Sequence, residues 1–410
     1  MFEFGPFRLE PQEHRLTRDE RLVPLPGKAL QTLVVLVERH GTLVPKRELM
    51  NAVWPNTSVE ENNLDRNIST LRKALGDQES GEPFIETVPR VGYRFVAEVR
   101  ESAADAKPRS RHETTAKQEI RFCQTADKVR LAYATIGEGH PVVKVASCFN
   151  HLGFEWDSPI WRHWITDFAP GHTLMRYDGR GNGLSDWEFE DCSFDAWVHD
   201  LETAVDAAGL DRFVLFGHSQ GGAVAVEYAV RHPERVSHLV LCGSYARGIS
   251  HRGNPEALEV RRALQTLLLL NWGKTNPAFF QVVTDLYIPE RATAEDKKWF
   301  CELQMVSMKP ENLVRIMRTC DSMDVRPILP KIKVPTIVFH ADCDRISPVQ
   351  EGRIMATEIP GARFVPLPSA NHVLLEDEPA WAIFRDELAA FLKSEMYERP
   401  TRAVRGATSP

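Results

Sequence analysis

The stretch FVLFGHSQGGAVAVEYAVR at residues 213–231 constrains the fold more than any other part of the chain. It begins with four apolar residues, which is typical of a parallel strand buried on both faces. Gly217, Gly221 and Gly222 flank Ser219 and permit a sharp turn, because glycine has no Cβ that could clash. The alanine- and valine-rich residues that follow predict a helix. A strand, a tight turn and a helix would hold Ser219 clear of the edge of a sheet.

Ser219 needs a base and an orienting acid to act as a nucleophile, and both residue types occur further along the chain. The segment VPTIVFHADCDRISP predicts a buried strand followed by a loop with Asp342 and Asp344. The segment ARFVPLPSANH predicts another strand and a loop that ends at His372. Because His372 lies in a loop, we expect it to be the base. The residues alone leave the acid open between the two aspartates.

These segments, together with YDGRGNGLSD, resemble the α/β-hydrolase superfamily, in which serine, aspartate and histidine follow one another along the chain in this order. The resemblance implies an α/β-hydrolase fold for residues 119–398, with a helical cap at about residues 245–329. It also implies that Ser219 is the nucleophile, that His372 is the base and that Asp344 is the acid.

The resemblance further implies two backbone N–H donors for a developing oxyanion, one at Gln220 and one at Cys148. Many superfamily members have His-Gly before the second position, where this chain has Ala146 and Ser147. Cys148 is equally consistent with an ordinary core residue. No cofactor is expected, because DGRGNG lacks the spacing of a dinucleotide-binding motif. No metal site is expected either, since the seven cysteines form no CxxC pair.

A different pattern occupies residues 1–100. In EENNLDRNISTLRKAL, four apolar residues recur at steps of three and four and predict a helix with one buried face. Ser58 and Glu61 have the spacing of a capping box at its start. The polar and basic positions on the remaining surface of this helix are Arg66, Asn67, Ser69, Thr70, Arg72 and Lys73. The segment FIETVPRVGYRFV then predicts two strands around a turn that includes Arg90.

Three helices, the last of them basic, followed by a hairpin are the pattern of a winged helix-turn-helix. The segments FGPFRLEP, LVPKRELMNAVWP, VEENNLDRNISTLRKALG and IETVPRVGYRF resemble the DNA-binding domain of OmpR/PhoB-class response regulators. This resemblance implies an α+β winged helix. The residues that it places at the DNA are Arg66, Asn67, Thr70, Arg72 and Thr87. The basic residues Lys73 of the helix and Arg90 of the wing complete the predicted DNA-binding set. The family usually has a basic residue directly after Thr-Val of the wing, where this chain has Pro89 followed by Arg90.

Charge limits how this domain can bind DNA. The whole chain has a net charge of −7, so it exerts no long-range attraction on nucleic acid. Residues 1–100 contain 14 Lys and Arg against 15 Asp and Glu. Binding to double-stranded DNA therefore depends on a local basic surface, and we expect a homodimer that presents two such surfaces. A protein-interaction module is the alternative that this charge balance also allows.

Residues 101–118 contain almost no large apolar side chain and predict a flexible linker, and residues 399–410 predict a disordered tail. The amino-terminal residues lack the pattern of a signal peptide. The longest apolar runs are far shorter than the ~20 residues that a membrane span requires. These features predict a cytoplasmic protein without a membrane partner.

Two functions of different classes fit this organisation. The first is a DNA-binding transcriptional regulator whose hydrolase domain senses and hydrolyses a small ester- or lactone-like molecule. The second is a serine ester or acyl hydrolase in which the winged helix is accessory. A complete set of serine, aspartate and histidine favours turnover over binding alone, because binding does not require all three.

Overall fold

The computed structural model describes most of the chain. The described residues are 1–11, 15–19, 21–23, 25–53, 61–78, 80–89, 91–101, 118–271 and 278–394. The predicted tail at 399–410 and nearly all of the predicted linker lie outside them.

In the residues that the structure describes, the amino-terminal domain combines short strands with three helices. Its strands are β1 Phe2–Phe4, β2 Phe7–Glu10, β3 Arg15–Arg18, β4 Arg21–Leu22, β5 Leu43–Pro45, β6 Ile85–Val88, β7 Gly92–Phe95 and β8 Arg100–Glu101. Its helices are α1 Gly27–Glu38, α2 Lys46–Val53 and α3 Glu61–Leu75. One sheet has the order β4-β3-β2-β1-β8, and a smaller one has the order β5-β7-β6. The antiparallel β6–β7 hairpin is the wing.

The apolar face of α3 explains why this helix packs into the domain. Leu64, Ile68, Leu71 and Leu75 are each at most 2% exposed. They share a core with α1 and with phenylalanines of the strands. The winged helix expected from the sequence is confirmed, although the capping residue Ser58 lies outside the described residues.

The second domain is built on an eight-stranded sheet of order β16-β15-β14-β13-β11-β12-β10-β9. Its strands are β9 Glu119–Gln124, β10 Arg130–Ile136, β11 His140–Lys144, β12 His172–Tyr177, β13 Phe213–His218, β14 Val236–Cys242, β15 Thr336–Ala341 and β16 Arg363–Leu367. Strands β11 to β16 pair in parallel, whereas β9 and β10 are antiparallel to their neighbours. Every residue of β13, β14 and β15 is buried, as the continuous apolar runs predict.

Helices cover both faces of this sheet. They are α4 Leu152–Trp156, α5 Arg162–Phe168, α6 Phe194–Ala207, α7 Gly221–Arg231, α8 Pro255–Asn271, α9 Ala278–Tyr287, α10 Ala294–Ser307, α11 Pro310–Ser322, α12 Val349–Glu358 and α13 Pro379–Ser394. Helices α6, α7 and α12 share one core with the sheet, and α5 and α13 share the other. Helices α8 to α11 follow β14 and precede β15, where the resemblance predicts the cap. The α/β-hydrolase fold is therefore confirmed.

The topology brings three loops to one edge of the sheet. Strands β13, β15 and β16 run parallel, so the loops after them leave the sheet at the same edge. Ser219 follows β13, Asp344 lies in the loop after β15, and His372 lies in the loop after β16.

The start of α1 contacts the hydrolase domain. A Cβ on Gly27 would lie 2.7 Å from the carbonyl oxygen of Leu184, so a larger residue does not fit there. The Nζ atom of Lys28 lies 4.7 Å from the ring centre of Phe122. Arg15 and Asp157 form a further contact at 3.8 Å. The flexible linker predicted from the sequence gave no reason to expect this contact.

Candidate active site and DNA-binding face

Ser219 stands on a strained turn between β13 and α7. Its φ of 56° lies in the left-handed region that residues other than glycine seldom adopt. A Cβ on Gly217 would lie 2.6 Å from the Cα of Gly222, and a Cβ on Gly222 would lie 2.1 Å from Ser244 Oγ. Only glycine fits at these two positions, so the glycines of GHSQGG allow the serine to occupy the tip of the turn.

His372 and Asp344 form a buried pair. Nδ1 of His372 lies 2.7 Å from Oδ2 of Asp344. The other carboxylate oxygen accepts hydrogen bonds from the backbone N–H groups of Ile346 at 2.8 Å and Ser347 at 2.9 Å. Nε2 of His372 is buried and has no hydrogen-bond partner among the described residues. The pair thus fixes the imidazole ring and leaves Nε2 as the nitrogen able to accept a proton.

The two aspartates of the loop after β15 differ in exposure and contacts. Asp344 is buried and its carboxylate reaches His372. Asp342 is exposed, and its backbone N–H donates a hydrogen bond to Leu367 O at 3.0 Å. The structure therefore brings Asp344, and not Asp342, to the histidine.

Two further buried histidines, which no sequence pattern indicated, hydrogen-bond to the loops that carry this pair. Nε2 of His218 lies 3.0 Å from the carbonyl oxygen of His372. Nε2 of His340 lies 2.8 Å from the carbonyl oxygen of Ser347. Burial lowers the pKa of both His218 and His340, so each is expected to be neutral near pH 7. Both are strand residues, and the apolar runs around them gave no sign of a role near the loops.

The cap holds the loop of His372 through its backbone. The N–H of His372 donates to the carbonyl oxygen of Tyr287 at 2.8 Å, and the two rings lie perpendicular with centres 5.2 Å apart. The N–H of Glu290 donates to Asn371 Oδ1 at 3.0 Å. Because Tyr287 is the last residue of α9, the position of the histidine depends on the cap.

Gln220 and Cys148 line the same cavity as Ser219. Their backbone N–H groups donate no hydrogen bond to another residue in the part of the chain that the structure describes. The loop of Cys148 is held by a bond from the N–H of Ser147 to Asn150 Oδ1. Burial raises the pKa of the Cys148 thiol, so its sulfur is a neutral group in the wall. Two uncommitted N–H groups on this wall are the donor type that an oxyanion requires.

A cavity of about 280 Å³ extends from Ser219 under the cap. Its apolar wall comes from α8, α9 and α11 and includes Leu264, Leu268, Val283, Leu286, Leu313 and Met317. The wall also includes Arg252, Arg261 and Arg345. A mostly apolar cavity with a few polar groups is typical of sites that bind small organic molecules.

The surface of α3 presents part of the predicted DNA-binding set to solvent. Arg66 and Lys73 are exposed, and neither forms an ion pair with another described residue. Thr70 is half-buried on the same helix. Arg90, predicted for the wing, lies outside the described residues. These exposed cations are suited to phosphate contacts.

Arg72 and Asn67 have partners within the domain. Nη2 of Arg72 donates to Ile85 O at 2.9 Å and to Thr87 Oγ1 at 2.6 Å, which ties α3 to the wing. Nδ2 of Asn67 donates to Thr32 Oγ1 of α1 at 3.0 Å. Asn67 thus links α3 to α1, and the DNA contact that the resemblance implies for it stays a prediction.

Neither a metal centre nor a membrane span appears among the described residues. No group of three or more His, Cys, Asp or Glu side chains there is arranged to hold a metal ion. No helix there is long and apolar enough to cross a membrane. All seven cysteines carry free thiols.

Comparisons with known proteins match both halves of the chain. Residues 148–379 match the family model of the alpha/beta hydrolase fold, and residues 19–95 match that of the carboxyl-terminal domain of transcriptional regulatory proteins. The AB hydrolase superfamily protein YisY of Bacillus subtilis is 26% identical over 270 residues, which are 63% of this chain and 94% of that protein. The esterase EaEST of Exiguobacterium antarcticum has a TM-score of 0.57 at 22% identity, over 66% of this chain and 98% of its own. A thermophilic esterase of Thermogutta terrifontis has a TM-score of 0.54 at 25% identity, over 68% and 99%.

The two matches cover the features described above. The first includes the turn at Ser219, the cap and the pair of His372 and Asp344. The second includes α3 and the wing of the amino-terminal domain. The chain therefore belongs to the alpha/beta hydrolase fold family, and it joins such a domain to a DNA-binding domain of the kind found at the carboxyl terminus of transcriptional regulatory proteins.

Proposed function

We propose that this protein is a DNA-binding transcriptional regulator whose hydrolase domain recognises and hydrolyses a small ester- or lactone-like molecule. The observation that carries the proposal is the buried hydrogen bond between His372 and Asp344, at the sheet edge where Ser219 faces a cavity. Ser219 is the nucleophile, His372 the general base and Asp344 the acid that orients it. A domain that only binds its ligand would not require all three side chains.

The first half of the proposed reaction forms an acyl-enzyme. Ser219 Oγ attacks the carbonyl carbon of the substrate, and its proton passes to Nε2 of His372. The N–H groups of Gln220 and Cys148 donate to the oxyanion that develops on the carbonyl oxygen. His372 then returns the proton to the leaving alcohol oxygen as the ester bond breaks.

The second half releases the acid. A water molecule gives a proton to Nε2 of His372 and attacks the acyl carbon, and Ser219 leaves with that proton. Asp344 accepts a hydrogen bond from Nδ1 throughout, which holds the tautomer that leaves Nε2 unprotonated at the start of each half. In a lactone the leaving alcohol stays attached to the acyl group, so the product is a single hydroxy acid.

The proposed DNA contacts come from α3 and the wing. Arg66 and Lys73 would bind phosphates, and Thr70 is the candidate for a base contact. The hydrogen bond from Arg72 to Thr87 would fix the orientation of the wing relative to α3. Because acidic residues slightly outnumber basic ones in this domain, we propose that a homodimer binds two half-sites together.

A second candidate is an esterase in which the DNA-binding domain is accessory, and the full set of catalytic residue types favours it equally. One contact favours regulation. The loop of residues 179–187 contacts α1 through Leu184, which lies against Gly27. The same loop contacts the cap, because Asn312 Nδ2 donates to Trp187 O at 2.9 Å. A ligand that moves the cap therefore has a short path to the DNA-binding domain.

Ser219→Ala should abolish both labelling by a fluorophosphonate and hydrolysis of short aryl esters. Loss of a triad member typically lowers turnover by roughly 10⁴- to 10⁶-fold. Intact-mass spectrometry of the labelled protein and initial rates on 4-nitrophenyl esters measure the two effects. A well-folded wild-type protein that is never labelled would contradict a hydrolytic role.

Asp344→Asn should lower kcat for the same esters by about 10⁴-fold, because the amide cannot hold the histidine tautomer that catalysis needs. Asp342→Asn is the matched control, since it makes the same change two residues away on an exposed side chain. Its rate should stay within about twofold of the wild type. Equal losses in the two variants would show that Asp344 is not the orienting acid.

Arg66→Ala should weaken DNA binding on every sequence and lower the slope of log affinity against log salt by about one unit, because one phosphate contact is lost. Arg72→Ala should also lower the melting temperature of the DNA-binding domain, since its bonds to Ile85 and Thr87 are lost. Fluorescence anisotropy across a salt series and calorimetry separate these effects. An unchanged salt slope in Arg66→Ala would remove this residue from the interface.

A further inference from the structure

Positive charge exceeds negative charge in the wall of the cavity that Ser219 lines. Among the described residues, three arginines (Arg252, Arg261 and Arg345) and one carboxylate (that of Asp321) contribute to this wall. Most of the remaining wall is apolar. Cations in such surroundings lose hydration, which is unfavourable unless an anion compensates it.

Arg261 is positioned so that part of its guanidinium group remains available. Its Nε donates to Asp321 Oδ1 at 3.0 Å, while Gln265 Nε2 donates to Asp321 Oδ2 at 2.7 Å. Both oxygens of Asp321 are thus engaged. The terminal nitrogens of Arg261 donate to no residue in the described part of the chain. Two parallel N–H donors of this kind bind a carboxylate in bidentate geometry.

Arg252 shares its nearest carboxylate with another arginine. Its Nε lies 3.8 Å from Glu351 Oε1, which also accepts from Arg247 at 3.2 Å. The guanidinium carbon of Arg252 lies 5.1 Å from the ring centre of Tyr245. One carboxylate therefore serves two guanidinium groups, and their charge is only half compensated.

Arg345 lies at the exposed edge of the cavity and directly follows Asp344. It forms no ion pair with a described residue. The carboxylate whose pKa it lowers is that of Asp285, which already pairs with Lys297 at 2.7 Å. Among the described residues, the three arginines of the wall therefore share it with one carboxylate, that of Asp321.

Arg261 also acts on the part of the cavity wall nearest Ser219. Burial raises the pKa of the Cys148 thiol and of the Tyr287 hydroxyl, and the positive charge of Arg261 opposes both changes. These groups lie beside the oxyanion donors and the histidine loop. Arg261 and Ser219 line the same cavity of about 280 Å³, so a ligand anion bound at Arg261 would share that cavity with the serine.

We infer that the cavity takes an ester or lactone that also carries a carboxylate, with the carboxylate bound by Arg261 while Ser219 attacks the ester carbonyl. This inference rests on the proposed hydrolytic function and specifies its substrate class. Arg252 and Arg345 add to the positive potential that attracts the anion, and the apolar wall accommodates the carbon chain between the two ends. With the carboxylate on the acyl part, hydrolysis of an ester releases an alcohol and a dicarboxylate, and hydrolysis of a lactone gives a hydroxy dicarboxylate.

Two chromogenic esters of similar length test this inference on the full-length protein. 4-Nitrophenyl butyrate is neutral, whereas the mono-4-nitrophenyl ester of glutaric acid ends in a carboxylate. We expect kcat/KM to be at least about tenfold higher for the glutarate ester, mainly through a lower KM, because charge-assisted hydrogen bonds are formed. Arg261→Gln should lower the ratio of the two kcat/KM values by about 10- to 100-fold. Arg261→Lys should restore part of it.

Arg262→Gln is the matched control, because Arg262 is the next residue of α8, is exposed and does not line this cavity. This variant should keep the wild-type ratio. A ratio near one in the wild-type protein, or an equal fall of the ratio in the Arg261 and Arg262 variants, would overturn the inference. Arg345→Gln should also lower the ratio, because Arg345 adds to the positive potential of the cavity. Since Arg345 is exposed, this result does not depend on whether Arg261→Gln folds.

A binding measurement separates failure of this inference from failure of the proposed function. Ser219→Ala protein is titrated calorimetrically with each of the two esters. One outcome is that the wild-type protein hydrolyses neither ester, that Ser219→Ala binds the glutarate ester more tightly than the butyrate ester, and that Arg261→Gln removes this difference. This outcome would support the anion site and refute the hydrolytic function. If the neutral ester is hydrolysed while the two esters bind equally, the hydrolase stands and the anion site is refuted.

Discussion

The buried hydrogen bond between Nδ1 of His372 and Oδ2 of Asp344 is the interaction on which the site depends. A buried carboxylate is stable only when its oxygens are hydrogen-bonded, and here the N–H groups of Ile346 and Ser347 satisfy the second oxygen. The histidine loop is held in turn by Tyr287 of the cap. The pair therefore forms only when two strand loops and the cap are assembled, which links the chemistry to the position of the cap.

Features encoded by local patterns could be predicted from the sequence. The glycines around Ser219 are required by contacts of a few ångströms within one turn, so GHSQGG specifies that turn. The apolar face of α3 likewise gives its position in the winged helix, because its leucines and isoleucine repeat with the helical period. The residues alone do not decide between Asp342 and Asp344, and the resemblance to a family favours Asp344. In the structure it is Asp344 whose carboxylate lies within hydrogen-bond distance of His372.

Features that depend on contacts between distant segments could not be predicted. Asn67 lies on the polar side of α3 in the sequence pattern, yet its amide bonds to Thr32 of α1, which no periodicity reveals. The hydrogen bond from the N–H of His372 to Tyr287 O joins the loop after β16 to the end of α9 in the cap. The close approach of Gly27 to the loop of residues 179–187 depends on how the two domains meet, and no local sequence pattern encodes that contact.

We propose that the state of the hydrolase site controls DNA binding, and the affinity for an operator with Ser219 covalently modified measures this coupling. A double-stranded operator sequence is first selected by binding to the full-length protein. The affinity of the protein for this operator is then measured by fluorescence anisotropy before and after complete fluorophosphonate labelling. Because coupling between sites is commonly 1–3 kcal/mol, affinity should change by roughly 5- to 150-fold. In Gly27→Ala, whose added Cβ would press against Leu184 O, the change should be reduced. Superimposable titrations of labelled and unlabelled wild-type protein would show that the two domains act independently on one chain.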